Sequence, residues 1–340
     1  MKCVRGNSTV LGATRPRAVR LPTPVLLIFL IFFSALPSVR AQQNPDSQAL
    51  PCAPSALSQL IVPEGRLVRV NPVPEQTGQA RRRLETQSAD GSSANPSADP
   101  VARKAYRIFE AEAQKGRPAA MVNLAVSSLA GWGTPPNAGA ALHWLHTAAD
   151  QNSALASYDL GILYFDGCGV RRDYAEAFRF FEQGARAGDS AAQTNLGYLY
   201  DHGLGVTQDR AVAARWYRRA AEGGESHAQY NLGDLYLRGE GVTQDDAAAF
   251  AWFQRAALQG HNGARIMLGS MYAIGRGAPK DLQAAYLWIS AAALQGDTRG
   301  NAMLLSLEAQ LTPAQLADAR LQAQSLARST APSGNLALLH

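Results

Sequence analysis

Cysteine, histidine and charged residues are all scarce in this sequence. Its 340 residues include three cysteines, six histidines and 17% charged residues. The cysteines form no Cys-x-x-Cys pair, which excludes the common zinc and thiol-redox motifs. The sequence also lacks a phosphate-binding Gly-x-x-x-x-Gly-Lys-Ser/Thr loop and a Ser-x-x-Lys acylation motif. We therefore expect no cofactor.

Basic residues are not abundant outside residues 1–41. Six of the 32 Lys and Arg residues lie in this leader, and none of the 27 Asp and Glu residues does. The rest of the chain has 26 basic and 27 acidic residues, a net charge of −1. Because such a body lacks the positive surface that binds a phosphate backbone, we expect no nucleic-acid partner.

The leader has the three parts of a secretory signal peptide. Its basic part ends at Arg20, an apolar run covers residues 25–36, and Val39-Arg40-Ala41 places small residues at a cleavage site. Twelve apolar residues span about 18 Å as a helix, well short of a hydrocarbon core of ~30 Å. We expect cleavage after Ala41, transient membrane contact and export to the periplasm. Secretion, or anchoring by an uncleaved signal, is the alternative.

Residues 42–98 are rich in Pro, Ser, Gln and Ala and show little hydrophobic periodicity. Such a composition buries too little apolar surface to offset the entropy lost on ordering, which predicts a flexible segment. Residues 60–70 alternate weakly around Pro63-Glu64-Gly65. They could form a short hairpin or pair with another element.

From about residue 100 the chain repeats with a period of 36 residues. One glycine recurs as Gly161, Gly197, Gly233 and Gly269, and an aspartate as Asp173, Asp209, Asp245 and Asp281. Each unit is predicted to be two antiparallel helices, joined by a Gly-x-Gly turn, with the aspartate as N-cap of the second helix. The first glycine costs about 1 kcal/mol within a helix. Its recurrence therefore predicts a close helix–helix approach, with recurring alanines facing it.

The repeat has the pattern A-x-x-x-L-G-x-x-Y-x-x-G-x-G-V-x-x-D-x-x-x-A-x-x-W-Y/F-x-x-A-A-x-x-G. This pattern resembles the Sel1-like repeat, a relative of the tetratricopeptide repeat. Five units cover about 118–297, and residues 190–260 match almost position for position. The resemblance implies an all-α fold, a right-handed α-solenoid with a C-terminal capping helix that Thr312-Pro313 opens. The expected segments are the signal peptide (1–41), a flexible segment (42–98), the repeat array with its flanking helices (99–311), the capping helix (312–328) and a tail (329–340).

A solenoid of helix pairs presents one concave groove, which the first helices line in the related tetratricopeptide array. Because the consensus fixes the core, we expect recognition at varying positions near the repeat glycine. These are Asn123, Tyr158, Asp159, Thr194, Asn195, Tyr198, Tyr230, Asn231, Asp234, Arg265 and Ser270. The asparagines could clamp the backbone of an extended peptide, or bond within the array and join neighbouring units.

The resemblance implies a non-enzymatic scaffold or adaptor that binds a protein partner, with a regulatory or assembly role in the bacterial envelope. A binder of polysaccharide or peptidoglycan fragments in the same groove is the first alternative. A β-lactamase-like hydrolase is a more remote one. Cysteine-rich Sel1-like proteins of that kind carry paired cysteines in most repeats, whereas four of the five units here have none.

His143 and His146, with Asp150 one turn further on, have the one metal-like spacing in the sequence. Both histidines align with varying, outward positions of the other units. We therefore expect no metal site.

Cys168 aligns with Leu204, Glu240 and Arg276 in the turns of other units, and is expected to be exposed. An exposed free thiol is unusual in an oxidising compartment. Two interpretations follow, a disulfide between Cys52 and Cys168 or two unpaired thiols. Cys3 would leave with the leader.

Overall fold

The computed structural model describes residues 97 and 99–330. The chain divides into two units, Met1–Asp46 and Ser47–His340, and all described residues belong to the second. The signal peptide, residues 42–96 with their suggested hairpin, and the tail beyond residue 330 lie outside the described residues.

The described residues form 13 α-helices and one 3₁₀ turn, without a β-strand among them. The helices are α1 (Pro100–Gln114), α2 (Pro118–Ala130), α3 (Ala138–Asp150), α4 (Ala154–Asp166), α5 (Tyr174–Arg186), α6 (Ser190–His202), α7 (Arg210–Glu222), α8 (Ser226–Arg238), α9 (Asp246–Leu258), α10 (Asn262–Ile274), α11 (Leu282–Ala293), α12 (Asn301–Glu308) and α13 (Pro313–Ser329), with the 3₁₀ turn at Thr298–Gly300. The five repeat units are the pairs from α2/α3 to α10/α11. Within this part of the chain, no helix is both long enough and apolar enough to cross a membrane.

Each helix of the array packs mainly on its neighbours in sequence, as a solenoid requires. The predicted all-α solenoid is therefore confirmed. The core is a continuous series of small clusters in which alanine, leucine and aromatic side chains of adjacent units meet. Because every unit buries its apolar face on the next one, the first helices are held in a regular row.

The repeated glycine makes room for a large side chain of the second helix in its own unit. A Cβ at Gly161 would lie 2.5 Å from the Phe181 ring, and one at Gly269 would lie 2.6 Å from Ile289. The equivalent pairs are Gly197 with Tyr217 and Gly233 with Phe253. The predicted close approach is confirmed. Recurring alanines also lie beside the glycine, since a Cβ at Gly269 would be 2.9 Å from the carbonyl oxygen of Ala285.

The turn between the two helices of a unit rests on the preceding unit. Gly205 has φ +67°, and a Cβ there would lie 2.2 Å from the carbonyl oxygen of Tyr174, at the start of α5. Only glycine combines this left-handed conformation with so close an approach. The Gly-x-Gly turn therefore sets the distance between neighbouring units.

The second helices begin at the predicted aspartates, each of which accepts a hydrogen bond from a backbone N–H of the first turn. Asn137 has this role in the first unit. In the second unit, Glu176 does not complete a capping box with Asp173, because its carboxylate pairs with Arg179 at 2.7 Å. An N-cap residue therefore recurs at the start of the second helix in every unit, whereas the charged residues beside it differ between units.

The array is closed at its C-terminal end by α13, which packs on α11. Thr312 is its N-cap and Pro313 lies in its first turn, as the Thr-Pro signal predicts, and Gln315 completes a capping box with Thr312. The Tyr286 hydroxyl donates to Glu308 (2.8 Å) and accepts from Arg320 (3.0 Å), which joins α11, α12 and α13. The capping helix is confirmed and ends one residue later than predicted, at Ser329.

Candidate functional site

A cleft of about 710 Å³ opens along the first helices of the second, third and fourth units. Five of the predicted groove residues line it: Tyr158, Thr194, Asn195, Tyr198 and Asn231. The N-terminal residues of α6 and α8 supply further polar groups, among them Ser190, Ser226, Glu225 and His227. The cleft is therefore a largely polar site to which three successive units contribute.

Tyr198 lies half-buried on α6 and is held by two rings. Its ring stacks on that of His202, with centroids 4.0 Å apart, and meets Phe165 edge-on at 6.1 Å. Burial raises the pKa of the Tyr198 hydroxyl, which keeps it protonated at neutral pH. The cleft thus contains a fixed phenol that can donate or accept a hydrogen bond.

The asparagines bond within the array. Asn195 donates from Nδ2 to the carbonyl oxygen of Ala191 (2.9 Å) in its own helix. Burial raises the pKa of the Tyr217 hydroxyl in the third unit, and the nearby Asn231 side chain of the fourth unit partly opposes this. Asn123 is 6% exposed. Of the two interpretations of this row, bonding within the array is the one these contacts support, although the Asn195 amide keeps further capacity toward the cleft.

Tyr158 and Thr194 form the floor of the cleft rather than its rim, since both side chains are buried. Thr194 donates its hydroxyl to the carbonyl oxygen of Ser190 (2.8 Å). The Tyr158 ring lies against Phe181 at 6.1 Å. Tyr158 and Thr194 therefore contribute mainly to the shape of the cleft.

The other predicted residues lie outside the cleft lining. Tyr230 stacks on His261 with centroids 4.7 Å apart, Asp234 forms an ion pair with Arg238, and Ser270 bonds to the carbonyl oxygen of its own helix. The remaining ones are Asn123, Asp159 and Arg265. The cleft therefore takes in five of the eleven predicted groove residues.

Comparison with known families identifies the repeat. The Sel1 repeat model matches residues 118–153, 154–189, 190–225, 226–261 and 263–297. The chain belongs to the Sel1 repeat family. Members of this family generally mediate protein–protein interactions and are typically non-enzymatic.

One solved structure supports the same fold, and two further solved structures match less closely. A Sel1 repeat protein from Oxalobacter formigenes matches with a TM-score of 0.60 at 24% identity, over 75% of this chain and 97% of that one. The immunity protein Pa5087 from Pseudomonas aeruginosa matches with a TM-score of 0.44 at 21% identity, over 70% and 88%. The antigen c5321 of uropathogenic Escherichia coli, which displays the same repeat fold, has a TM-score of 0.34 at 20% identity, over 79% and 86%. No curated protein matches the sequence.

Arg265, on the fifth Sel1 repeat, is fully buried, so its predicted place in the binding groove is wrong. Its guanidinium donates to the carbonyl oxygens of Ala257 (3.2 Å) and Ala291 (3.4 Å), in the last turns of α9 and α11. It also bonds to the hydroxyl of Thr330, beyond the end of α13. Helix C-termini carry partial negative charge, so these carbonyls stabilise a buried cation. Arg265 therefore fastens the capping helix to the repeats.

The contacts of Arg265 reveal a recurring position that the sequence interpretation missed. Gln193 and Gln229 occupy it in the third and fourth repeats, and both are buried. Gln193 donates to the carbonyl oxygen of Ala185 (3.2 Å), and Gln229 to that of Ala221 (3.1 Å). These carbonyls lie at the ends of the preceding second helices, where each also accepts the backbone N–H of Gly188 or Gly224. The glutamine therefore supplies a second hydrogen bond at each helix end. The sequence signal for this buried position was a polar residue that recurs every 36 residues, as Gln193, Gln229 and Arg265.

The two histidines with metal-like spacing lie in different surroundings. His146 meets Phe180 edge-on at 5.3 Å, and burial lowers the pKa of its imidazole. His143 is exposed and lies beside Trp144. The expected outward position is therefore wrong for His146, which packs against the next repeat. No group of three metal-ligating side chains occurs in the described part of the chain.

The prediction that Cys168 is exposed is also wrong. Its side chain is 4% exposed and belongs to the core cluster that contains Leu163 and Phe180. Cys168 is disulfide-bonded, which overturns the interpretation of two unpaired thiols. The partner sulfur lies outside the described residues.

Proposed function

We propose that this Sel1 repeat protein is a non-enzymatic scaffold of the bacterial envelope that binds an extended segment of a partner protein in the cleft along α6 and α8. The proposal narrows the general activity of the family, protein–protein interaction, to one site. The observation that carries it is the cleft of about 710 Å³ with polar groups from three units. The envelope location rests on the signal peptide predicted from residues 1–41.

The repetition of polar groups in the cleft suits a polypeptide backbone. Ser190 and Ser226 occupy equivalent positions of adjacent repeats, as do Asn195 and Asn231, and all four line the cleft. An extended chain offers a peptide N–H and C=O at every residue, so similar polar groups on successive repeats can bind successive peptide units. Tyr198 adds a rigid aromatic contact at low entropic cost.

The charged residues of the cleft support a binding role rather than proton transfer. Glu225 is the N-cap of α8, and its carboxylate accepts a hydrogen bond from the backbone N–H of His227. The same Oε1 lies 3.0 Å from Nδ1 of His227. Because the carboxylate is engaged by its own helix start, we assign the Glu225–His227 pair to the shape and polarity of the site. Members of the family are typically non-enzymatic, which agrees with this assignment.

The hydroxyl and amide groups of the cleft favour one second candidate, a polysaccharide or peptidoglycan fragment. Sugar hydroxyls bond to such groups as readily as peptides do, and the Tyr198 ring can lie against a pyranose face.

Co-purification from envelope extracts tests the proposal with two matched variants. Tyr198→Ala removes the aromatic contact of the cleft, and Arg215→Ala removes an exposed side chain of α7, away from the cleft lining. We expect one protein to co-purify with the wild type and with Arg215→Ala, and at least tenfold less of it with Tyr198→Ala. Equal recovery with both variants would contradict the proposed site. Retention on immobilised peptidoglycan that Tyr198→Ala abolishes would favour the second candidate.

A further inference from the structure

Cys168 differs from the residues at the same position of the other repeats. Leu204, Glu240 and Arg276 are partly exposed, whereas Cys168 is 4% exposed. Its backbone forms an isolated β-bridge, which the three equivalent turn residues do not form. Among the described residues no other takes part in a bridge or strand. The turn of the second repeat therefore has a special role that the repeat pattern does not require.

The disulfide of Cys168 has two possible partners within the chain, Cys3 and Cys52. Cys3 lies in the segment predicted to be removed as a signal peptide, whereas Cys52 follows the predicted cleavage site after Ala41. We propose that Cys52 is the partner, and that this bond fastens the Pro/Ser-rich segment preceding α1 to the turn of the second repeat.

The chemistry of the bond requires an oxidising partner. Two thiols lose two protons and two electrons as the sulfur–sulfur bond forms, and the electrons reduce the disulfide of a thiol–disulfide oxidoreductase to two thiols. Exported proteins meet oxidants of this class, so the predicted export and the disulfide agree. Because Cys168 is buried, an attacking thiolate reaches it poorly, and we expect slow reduction of the folded protein.

The bond between residues 52 and 168 would close a covalent ring of the chain that contains α1 and the whole first repeat. This repeat is the degenerate one, with Ala125 and Ser128 in place of the recurring glycine and tyrosine. On its N-terminal side the first repeat packs on the single helix α1 instead of a full helix pair. The disulfide therefore attaches the segment that precedes α1 to the second repeat, on the far side of the first.

Peptide mapping of the exported, full-length protein tests the pairing. The protein is denatured, alkylated without reductant and digested with trypsin. We expect no alkylated Cys168, and a reducible linkage between the peptide that ends at Arg66, which contains Cys52, and the peptide that ends at Arg171. Alkylation of both Cys52 and Cys168 before reduction would overturn the proposal. So would a linkage of Cys168 to Cys3 or to a second chain.

Two serine variants add a matched comparison. Cys52→Ser should make Cys168 alkylatable without reductant and should abolish the loss of thermal stability that reduction causes in the wild type. Cys3→Ser should leave the linkage and the thermal stability unchanged. If Cys52→Ser does not accumulate, the linkage map of the wild type and of Cys3→Ser still decides the matter. A Cys3→Ser protein without the linkage would contradict the proposal.

Discussion

The Gln259 amide donates a hydrogen bond to Oε1 of Gln229 (2.8 Å), and the Gln229 amide donates to the carbonyl oxygen of Ala221 (3.1 Å) across the boundary between the third and fourth Sel1 repeats. Gln259 lines the proposed binding cleft, and Gln229 is buried. One pair of amides thus both borders the site and holds two repeats in register. The stability of the array and the shape of the cleft are coupled at this position.

Gln229→Leu removes both hydrogen bonds and places an apolar side chain at the buried position. We expect the free energy of unfolding to fall by about 1–3 kcal/mol, because two hydrogen bonds are lost. Chemical denaturation followed by circular dichroism measures this. Gln259→Ala, at the exposed end of the pair, removes one bond and should cost less. A Gln229→Leu protein as stable as the wild type would contradict the inter-repeat role.

Gly197→Ala tests the close approach of the two helices in a repeat. A Cβ at this position would lie 2.8 Å from the Tyr217 ring, which cannot move without disturbing the core. We expect a loss of roughly 1–3 kcal/mol, as for other overpacked cores. Gly139→Ala, within helix α3, is the control, since its Cβ would have only the Asn137 side chain nearby, at 3.5 Å. That change should stabilise the protein by up to ~1 kcal/mol.

Arg265→Gln and Arg265→Leu separate the roles of the buried guanidinium. Glutamine, the residue of the equivalent positions 193 and 229, can keep the bond to Ala257 and should cost less than leucine. Leucine removes the guanidinium bonds to the carbonyl oxygens of Ala257 and Ala291, of which Ala257 keeps the backbone N–H of Gly260. We expect a loss of about 2–4 kcal/mol. Hydrogen exchange should show faster opening of α13 in both variants. Equal protection of α13 in all three proteins would contradict its attachment through Arg265.

His261 should make the stability of the array depend on pH. His261 is the N-cap of α10, where its Nδ1 accepts a hydrogen bond from the backbone N–H of Ala264. The pKa of its imidazole is lowered to about 4, chiefly by burial. The charges of His227 and Arg299 also lower this pKa, whereas that of Glu225 raises it. The unfolded chain binds the proton with a pKa near 6.5. The stabilisation is therefore complete above pH ~6.5 and is lost as the pH falls toward 4, by at most ~3 kcal/mol.

Denaturation curves from pH 7 to pH 4 measure this effect. His261→Ser keeps a capping side chain, the one that Ser153 supplies in the second repeat, and should lower the pH dependence. His143→Gln, at an exposed histidine, should leave the pH dependence unchanged. An unaltered slope in His261→Ser would contradict the assignment.

The sequence was sufficient to predict the solenoid, because the features that build a repeat are local and recur every 36 residues. The N-cap aspartates, the turn glycines and the adjacent aromatic residues (W-Y/F in the repeat pattern) all act within a unit or on a neighbouring one. The capping helix was equally predictable, since Thr312 and Pro313 signal its start without any distant partner.

The site was only partly predictable, because exposure depends on partners that the repeat pattern does not contain. Arg265 lies at a position that varies between repeats, and its burial depends on Thr330, which is 65 residues away. Cys168 aligns with partly exposed residues, and its disulfide partner lies outside the array. Tyr198 and Asn195, which the sequence places on the groove side of a regular helix, do line the cleft, and their role in binding stays a prediction.

In-cell photocross-linking tests the central claim, that the cleft holds a protein partner, most directly. A photoreactive residue replaces Tyr198 in one variant and the exposed Arg215 in the other, and adducts are identified by mass spectrometry. We expect one discrete protein adduct from position 198 and none from position 215. No adduct from position 198, in cells where the variant is exported and folded, would contradict the account.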